Sequence, residues 1–143
     1  MSNLSIKLAI FGLFVAGVLL TACGGGGEAP AAGEEAPAAV TLDFVGEDIS
    51  FDVESVSVTS GQEVTVNFQN AGTLEHSWVL VSDRIDPLVA TEADALPGTN
   101  SGTIVGGEGT TLNFVAPGPG DYTFVCTVEG HAEAGMLGDF IVK

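Results

Sequence analysis

Four residues restrict what this 143-residue chain can fold into more than any hydropathy pattern does. Cys126, His131 and Met136 are spaced C-x4-H-x4-M, and His76 lies fifty residues before Cys126. They account for both histidines in the chain and for the only methionine besides Met1. Two neutral imidazoles, a thiolate and a thioether make up the donor set of a trigonal His2Cys centre with a weak axial sulfur. If the four act together, the fold must carry residue 76 to a loop fifty residues later. Convergence at one end of a β-sandwich satisfies that requirement.

The first twenty-two residues fall outside such a domain. Lys7 precedes a thirteen-residue apolar run, Leu8 to Leu20. A membrane span needs about 20 residues, so the run fits the apolar centre of a signal peptide. Leu20-Thr21-Ala22-Cys23 resembles a bacterial lipoprotein box. That resemblance implies cleavage before Cys23 and a lipid thioether on its sulfur; a signal peptide with a chance cysteine is the other reading. With Cys23 lipidated, Cys126 has no disulfide partner. Metal ligation gives a lone thiol in an oxidising compartment a use.

Gly24 to Ala39 contains only Gly, Ala, Pro and Glu. No residue there can build a core, so residues 23–39 read as a lipid-anchored flexible tether with a reach of about 20–24 Å. These features predict a membrane-anchored extracytoplasmic lipoprotein whose folded domain spans residues 40–143.

Charge narrows the partners. The chain carries 19 acidic residues against three basic ones, for a formal net charge of −16. Only Arg84 and Lys143 are basic beyond Lys7. Nucleic acid is excluded, because phosphate binding needs clustered Lys and Arg. An anionic lipid surface would repel the domain. A basic protein partner, steered electrostatically, fits the charge, as does simple solubility.

From Val40 onward short β-type runs alternate with turn signals. Thr41 to Val45 alternates, as do Val64, Val66 and Phe68, and later Leu112 and Phe114. Phe51 and Val53 share one phase and Val56 and Val58 the other, which predicts a bulge or corner between them. Ser77 to Val81 is continuously apolar after its first residue, as in a strand covered on both faces. Tyr122, Phe124 and Cys126 share one strand face, and Asp139 to Val142 closes the domain. Asp83 to Gly102 reads as a cross-over containing one short helix, Thr91 to Leu96, capped by Thr91 and stopped by Pro97. The expected fold is all-β: a Greek-key sandwich of seven to eight strands.

The donor set points to copper. A structural zinc site usually needs more cysteines, and haem attachment needs C-x-x-C-H, which is absent. No histidine remains for an open catalytic metal position, so the pattern points away from an enzyme. Zinc can still occupy such a site adventitiously. A copper-holding protein for delivery or storage is the rival reading; such proteins usually rely on several Met or paired Cys.

Residues 40–143 resemble the cupredoxins, and within them the auracyanin branch. The resemblance rests on His76-Ser77-Trp78-Val79-Leu80-Val81, on Ala93-Asp94-Ala95-Leu96, on the Pro119 to His131 stretch and on the C-x4-H-x4-M loop. It implies a monomeric type 1 copper electron carrier with His76, Cys126, His131 and Met136 as ligands. It also implies His131 as the electron port, within an apolar docking patch of Ala132, Ala134, Leu137 and Leu74. The implied partners are a quinol-oxidising complex as donor and a c-type cytochrome or reaction centre as acceptor. Two positions depart from the common pattern. Ser77 stands where most cupredoxins have Asn, and Ser offers fewer hydrogen bonds to tie the ligand segments together. Glu129 stands where related loops commonly have Pro, which puts a carboxylate close to the metal end.

Overall fold

A computed structural model describes residues 36–143. The expected signal segment, Cys23 and the tether as far as residue 35 lie outside the described residues. Eight strands are formed among those described: β1 (Val40–Glu47), β2 (Ser50–Phe51), β3 (Ser55–Val58), β4 (Glu63–Asn70), β5 (Val79–Ser82), β6 (Gly109–Val115), β7 (Gly120–Val125) and β8 (Leu137–Val142). They form two four-stranded sheets, ordered β2-β1-β4-β6 and β3-β8-β7-β5. The result is the β-sandwich expected from the strand count.

Alternation decides which side of each strand is buried. In β4, Val64, Val66, Phe68 and Asn70 all point inward. That period of two marks one buried face. The phase switch after Phe51 is a corner between sheets: β2 pairs with β1 in the first sheet, and β3 pairs with β8 in the second. Both sheets are mixed, since β1 runs parallel to β4 and β3 parallel to β8.

The core is aromatic, and Phe124 is its hub. Its ring centroid lies 5.0 Å from Phe44, 5.4 Å from Phe51 and 6.1 Å from Trp78. The first two contacts are edge-on, the arrangement favoured by the ring quadrupole. Phe124, Trp78, Leu80 and Cys126 face this main core. Val79, Val81 and Val125 point the other way, into a second cluster with Ala132, Ile85, Ala90, Ala95 and Leu137. Strand β5 is therefore covered on both faces, which accounts for its unbroken apolar run.

The cross-over supplies that second cover. In place of one short helix it forms two single-turn 3-10 helices, Pro87–Val89 and Glu92–Asp94. The Asp86 carboxylate accepts from the Leu88 N–H at 3.0 Å. Thr91 donates both its N–H (2.9 Å) and its hydroxyl (2.7 Å) to the Asp94 carboxylate. Pro97 and the docking of Leu96 N–H onto the Leu80 carbonyl (2.9 Å) leave no room for further turns. The returning chain then follows the free edge of β5. Leu80 N–H donates to Thr99 O (3.2 Å), Ser101 N–H to Trp78 O (3.1 Å), and His76 and Ile104 exchange bonds of 3.0 and 2.7 Å. An otherwise open sheet edge is thus satisfied, and His76 is held at its far end. Among the described residues no helix is long and apolar enough to cross a membrane.

Gly138 shows how tightly neighbouring strands of the second sheet pack. A Cβ there would run into the Phe124 ring and come within 2.5 Å of the Glu54 carbonyl oxygen. Gly138→Ala should therefore cost at least the ~1–3 kcal/mol typical of overpacking. Urea denaturation midpoints of the two proteins measure it, and coincident curves would contradict this account of the packing.

Candidate metal centre

β7 stops at Val125, hydrogen-bonded between β5 and β8, and the chain leaves the sheet at Cys126. The excursion to β8 is closed by its own backbone. Cys126 N–H donates to Met136 O (3.0 Å), and Met136 N–H donates to His131 O (2.9 Å). Three residues of the C-x4-H-x4-M run are therefore tied at their main chains before any side chain is considered.

His76, Cys126 and His131 converge. Nδ1 of His76 lies 3.1 Å from Nδ1 of His131. The Cys126 Sγ lies 3.4 Å from the His131 Nδ1 and 4.0 Å from the His76 Nδ1. Metal–nitrogen bonds of about 2.0–2.1 Å and metal–thiolate bonds of about 2.3 Å set neighbouring donors roughly 3–4 Å apart, so the three atoms are spaced to share one ion. His76 and Cys126 are wholly buried, whereas 8% of His131 reaches solvent. Met136 is also wholly buried, in the main core beside the site.

Burial holds His76 below the ordinary imidazole value, with the neighbouring His131 acting in the same sense. Only the Asp48 carboxylate and the Glu47 backbone pull the other way. A neutral, buried imidazole beside a second imidazole and a thiol is a metal-binding set. Part of the neighbouring restraint comes from Ser77. Its N–H points at the Cys126 sulfur (3.4 Å), and its hydroxyl lies 3.9 Å from the same atom. The hydroxyl accepts from the Thr127 N–H (2.8 Å) and shares a bond with the Thr127 hydroxyl (2.9 Å). Ser77 thus ties the two segments together despite its short side chain, because Thr127 supplies the second polar group.

Three supporting residues were not legible as such in the sequence. Asn70 is wholly buried at the end of β4. Its amide donates to the carbonyls of Leu74 and Ile104 (both 2.8 Å) and accepts from Gly72 N–H (3.0 Å), fixing the turn that leads to His76. The signal was a polar residue on the inward phase of Val64, Val66 and Phe68. Thr127 gave no signal. Asp48 accepts from Thr73 N–H (2.8 Å), from the Thr73 hydroxyl and from Leu74 N–H (3.4 Å), clamping the β1–β2 loop onto the same turn.

The residues expected to form a docking patch differ in exposure. Ala132 is buried and Leu137 half-buried, both facing the cluster of Val79, Val81 and Val125. Ala134 and Leu74 are exposed. Ile49 and Val105 are exposed as well. Their chain neighbours pack against the turn before His76: Asp48 grips Thr73 and Leu74, and Gly106 lies against Gly72 and Thr73.

Two imidazoles and a thiol meeting at one end of a β-sandwich define a protein with a His2Cys metal centre. The chain belongs to the copper-binding proteins of the plastocyanin/azurin family, whose profile matches residues 38–143. It is similar to Auracyanin-A of Chloroflexus aurantiacus, 28% identical over 99% of both chains. It is also similar to the copper-resistant cuproprotein CopI of Rubrivivax gelatinosus, 28% identical over 78% of this chain and 71% of that one. Among solved structures, dithionite-reduced auracyanin from Roseiflexus castenholzii superposes with a TM-score of 0.64 at 26% identity, covering 75% of this chain and 99% of that one.

The Asp48 clamp has a pH signature. Backbone hydrogen bonds from Thr73 and Leu74 hold its carboxyl below the ordinary 3.8. A depressed folded value stabilises the fold above the unfolded value, and the gain is lost as pH falls through the folded one. Asp48→Ala should lower the denaturation midpoint at neutral pH, and its gap from the parent should close as pH drops below 3.8. A gap that stays constant down to pH values well below that point would exclude an ionic clamp.

Proposed function

We propose that the protein is a one-electron carrier that holds a single type 1 copper with His76, Cys126, His131 and Met136. The convergence of two Nδ1 atoms and the thiol of Cys126 within bonding range of one ion carries this reading. Copper held there would supply one-electron exchange between Cu(II) and Cu(I). The protein's part is to keep the donors still. The Cys126–Met136 and Met136–His131 backbone bonds, the Ser77–Thr127 tie and Asn70 restrain all four from separate sides. Donors that cannot relax toward the preferred geometry of either oxidation state need little rearrangement when the electron moves.

His131 is the electron port in this reading, because its ring edge reaches the surface while His76 and Cys126 do not. Leu74, Ala134, Ile49 and Val105 provide an apolar rim for brief docking. Glu47, Asp48, Glu75, Glu129 and Glu133 are exposed on the flanking segments and suit a basic partner, whose capture they would accelerate more than they would prolong. Likeness to auracyanins supports a quinol-oxidising complex as donor and a c-type cytochrome or reaction centre as acceptor. It also supports a monomer held by lipid on Cys23 at an extracytoplasmic membrane face.

Copper delivery or storage is the second reading, and similarity to the copper-resistant cuproprotein favours it. Spectroscopy separates the two. A carrier shows an intense thiolate-to-copper band in the visible when oxidised and exchanges electrons without losing the metal. A store shows neither.

Cys126→Ala should abolish that band, and Met136→Leu should keep it while raising the reduction potential, because axial donation to Cu(II) is lost. A lowered potential in Met136→Leu would sink the axial role. His131→Gly should slow electron exchange with the native partner by at least tenfold; an unchanged rate would place the port elsewhere.

A further inference from the structure

Gly46 lies at the end of β1, opposite Phe51 of β2 and Asn70 of β4. It is buried, and its φ is not among the positive values of this chain, so the backbone does not require glycine there. Its carbonyl accepts from Ala71 N–H (2.8 Å) and Gly72 N–H (3.2 Å), bonds that any residue could make. What a side chain would meet is the reason for its absence. A Cβ at residue 46 would sit 3.1 Å from two carbons of the Phe68 ring and 3.3 Å from the Met136 methyl. Carbon contacts are optimal at about 3.5–4.0 Å, so one neighbour must yield by a few tenths of an ångström.

Phe68 is the less able to yield. It is buried between the sheets and meets Phe51 edge-on at a centroid distance of 6.0 Å. Met136 is unbranched, with soft side-chain torsions, and is the side chain that adapts. From this we infer that Gly46 is a positioning residue: it sets where the Met136 thioether rests, and through it the axial interaction. The neighbouring inward residue of β1, Phe44, fills the core in full. The missing side chain two positions on leaves a recess that Met136 occupies. This inference rests on the axial role proposed for Met136. A displacement of tenths of an ångström is small for a core, but large for a long, weak bond whose strength tunes the centre.

The experiment compares Gly46→Ala in the parent and in Met136→Leu, both copper-loaded and full-length. The visible spectrum and the reduction potential are read for all four proteins. The expected result is a changed intensity ratio of the charge-transfer bands and a shifted potential on adding Gly46→Ala to the parent. Both changes should be absent, or reduced at least threefold, when it is added to Met136→Leu. Equal changes in both backgrounds would mean that Gly46 acts through the Ala71–Gly72 turn, and would overturn the inference; so would no change in either. If Met136→Leu by itself matches the parent in both readouts, the axial role fails first and the inference falls with it. Should Gly46→Ala not fold, Gly46→Ala/Phe68→Leu frees the ring side while keeping the Met136 contact. Compared with Phe68→Leu alone, it decides the question by the same criteria.

Discussion

One rung of backbone pairing supports the whole metal end. Val125 of β7 lies opposite Val79 of β5 on one side and opposite Leu137 of β8 on the other. His76 is three residues before that rung, Cys126 is one residue past it, and Met136 is one residue before it. Because side chains alternate, slipping β7 by a single residue would turn Cys126 out of the site and Val125 into it. Burial on both faces prevents the slip. Phe124 anchors the main core, Val125 anchors the cluster beneath the cross-over, and neither tolerates the other's place. The cross-over is therefore more than a connection: by covering the second face it locks the register that aims the thiol.

That register brings two imidazoles and a thiol into contact in a buried site. With Nδ1 atoms 3.1 Å apart, only one of the two rings can place a hydrogen between them. Burial opposes adding a second hydrogen by protonating His76. The fold supports this crowding from outside, through Asn70, Ser77, Thr127 and Asp48, none of which supplies a donor atom to the set. A cation that binds only the folded state would stabilise it by mass action.

The sequence revealed most of what depends on local periodicity or on rare residue types. The alternation of Val64, Val66 and Phe68, the two-sided cover of Trp78 to Val81 and the corner after Phe51 could all be read, because each is a statement about one strand. The meeting of His76, Cys126 and His131 could be read because the chain holds so few His and Cys. Long-range register could not. Nothing local says that β1 runs parallel to β4, or that Ala132 turns into a cluster under the cross-over instead of outward around His131. The stretch from Thr91 to Leu96 carries helix-like composition, yet it closes only a single 3-10 turn, because Leu96 and Thr99 are drawn onto β5. Gly46 looked like one glycine among 20. Its meaning lies entirely in Phe68 and Met136, which arrive from elsewhere in the chain.

The acidic surface and the buried hydrogen bonds can be weighed against each other as influences on the metal. Glu129 is exposed at the mouth of the loop. Even at 4 Å in water, a unit charge acts on another with only about 1 kcal/mol, and salt screens exposed charges over about 8–10 Å. Hydrogen bonds to a charged group contribute roughly 1.5–3 kcal/mol, and the Ser77 N–H delivers one to the Cys126 sulfur in a site closed to water. In the proposed carrier, the departure from the family pattern at Glu129 would therefore weigh less on the stability of each oxidation state than the contacts around Cys126 and Met136. The carboxylates act at a longer range and on a different quantity. They would shape the field that an approaching partner crosses, while the buried shell would govern the exchange once it has docked.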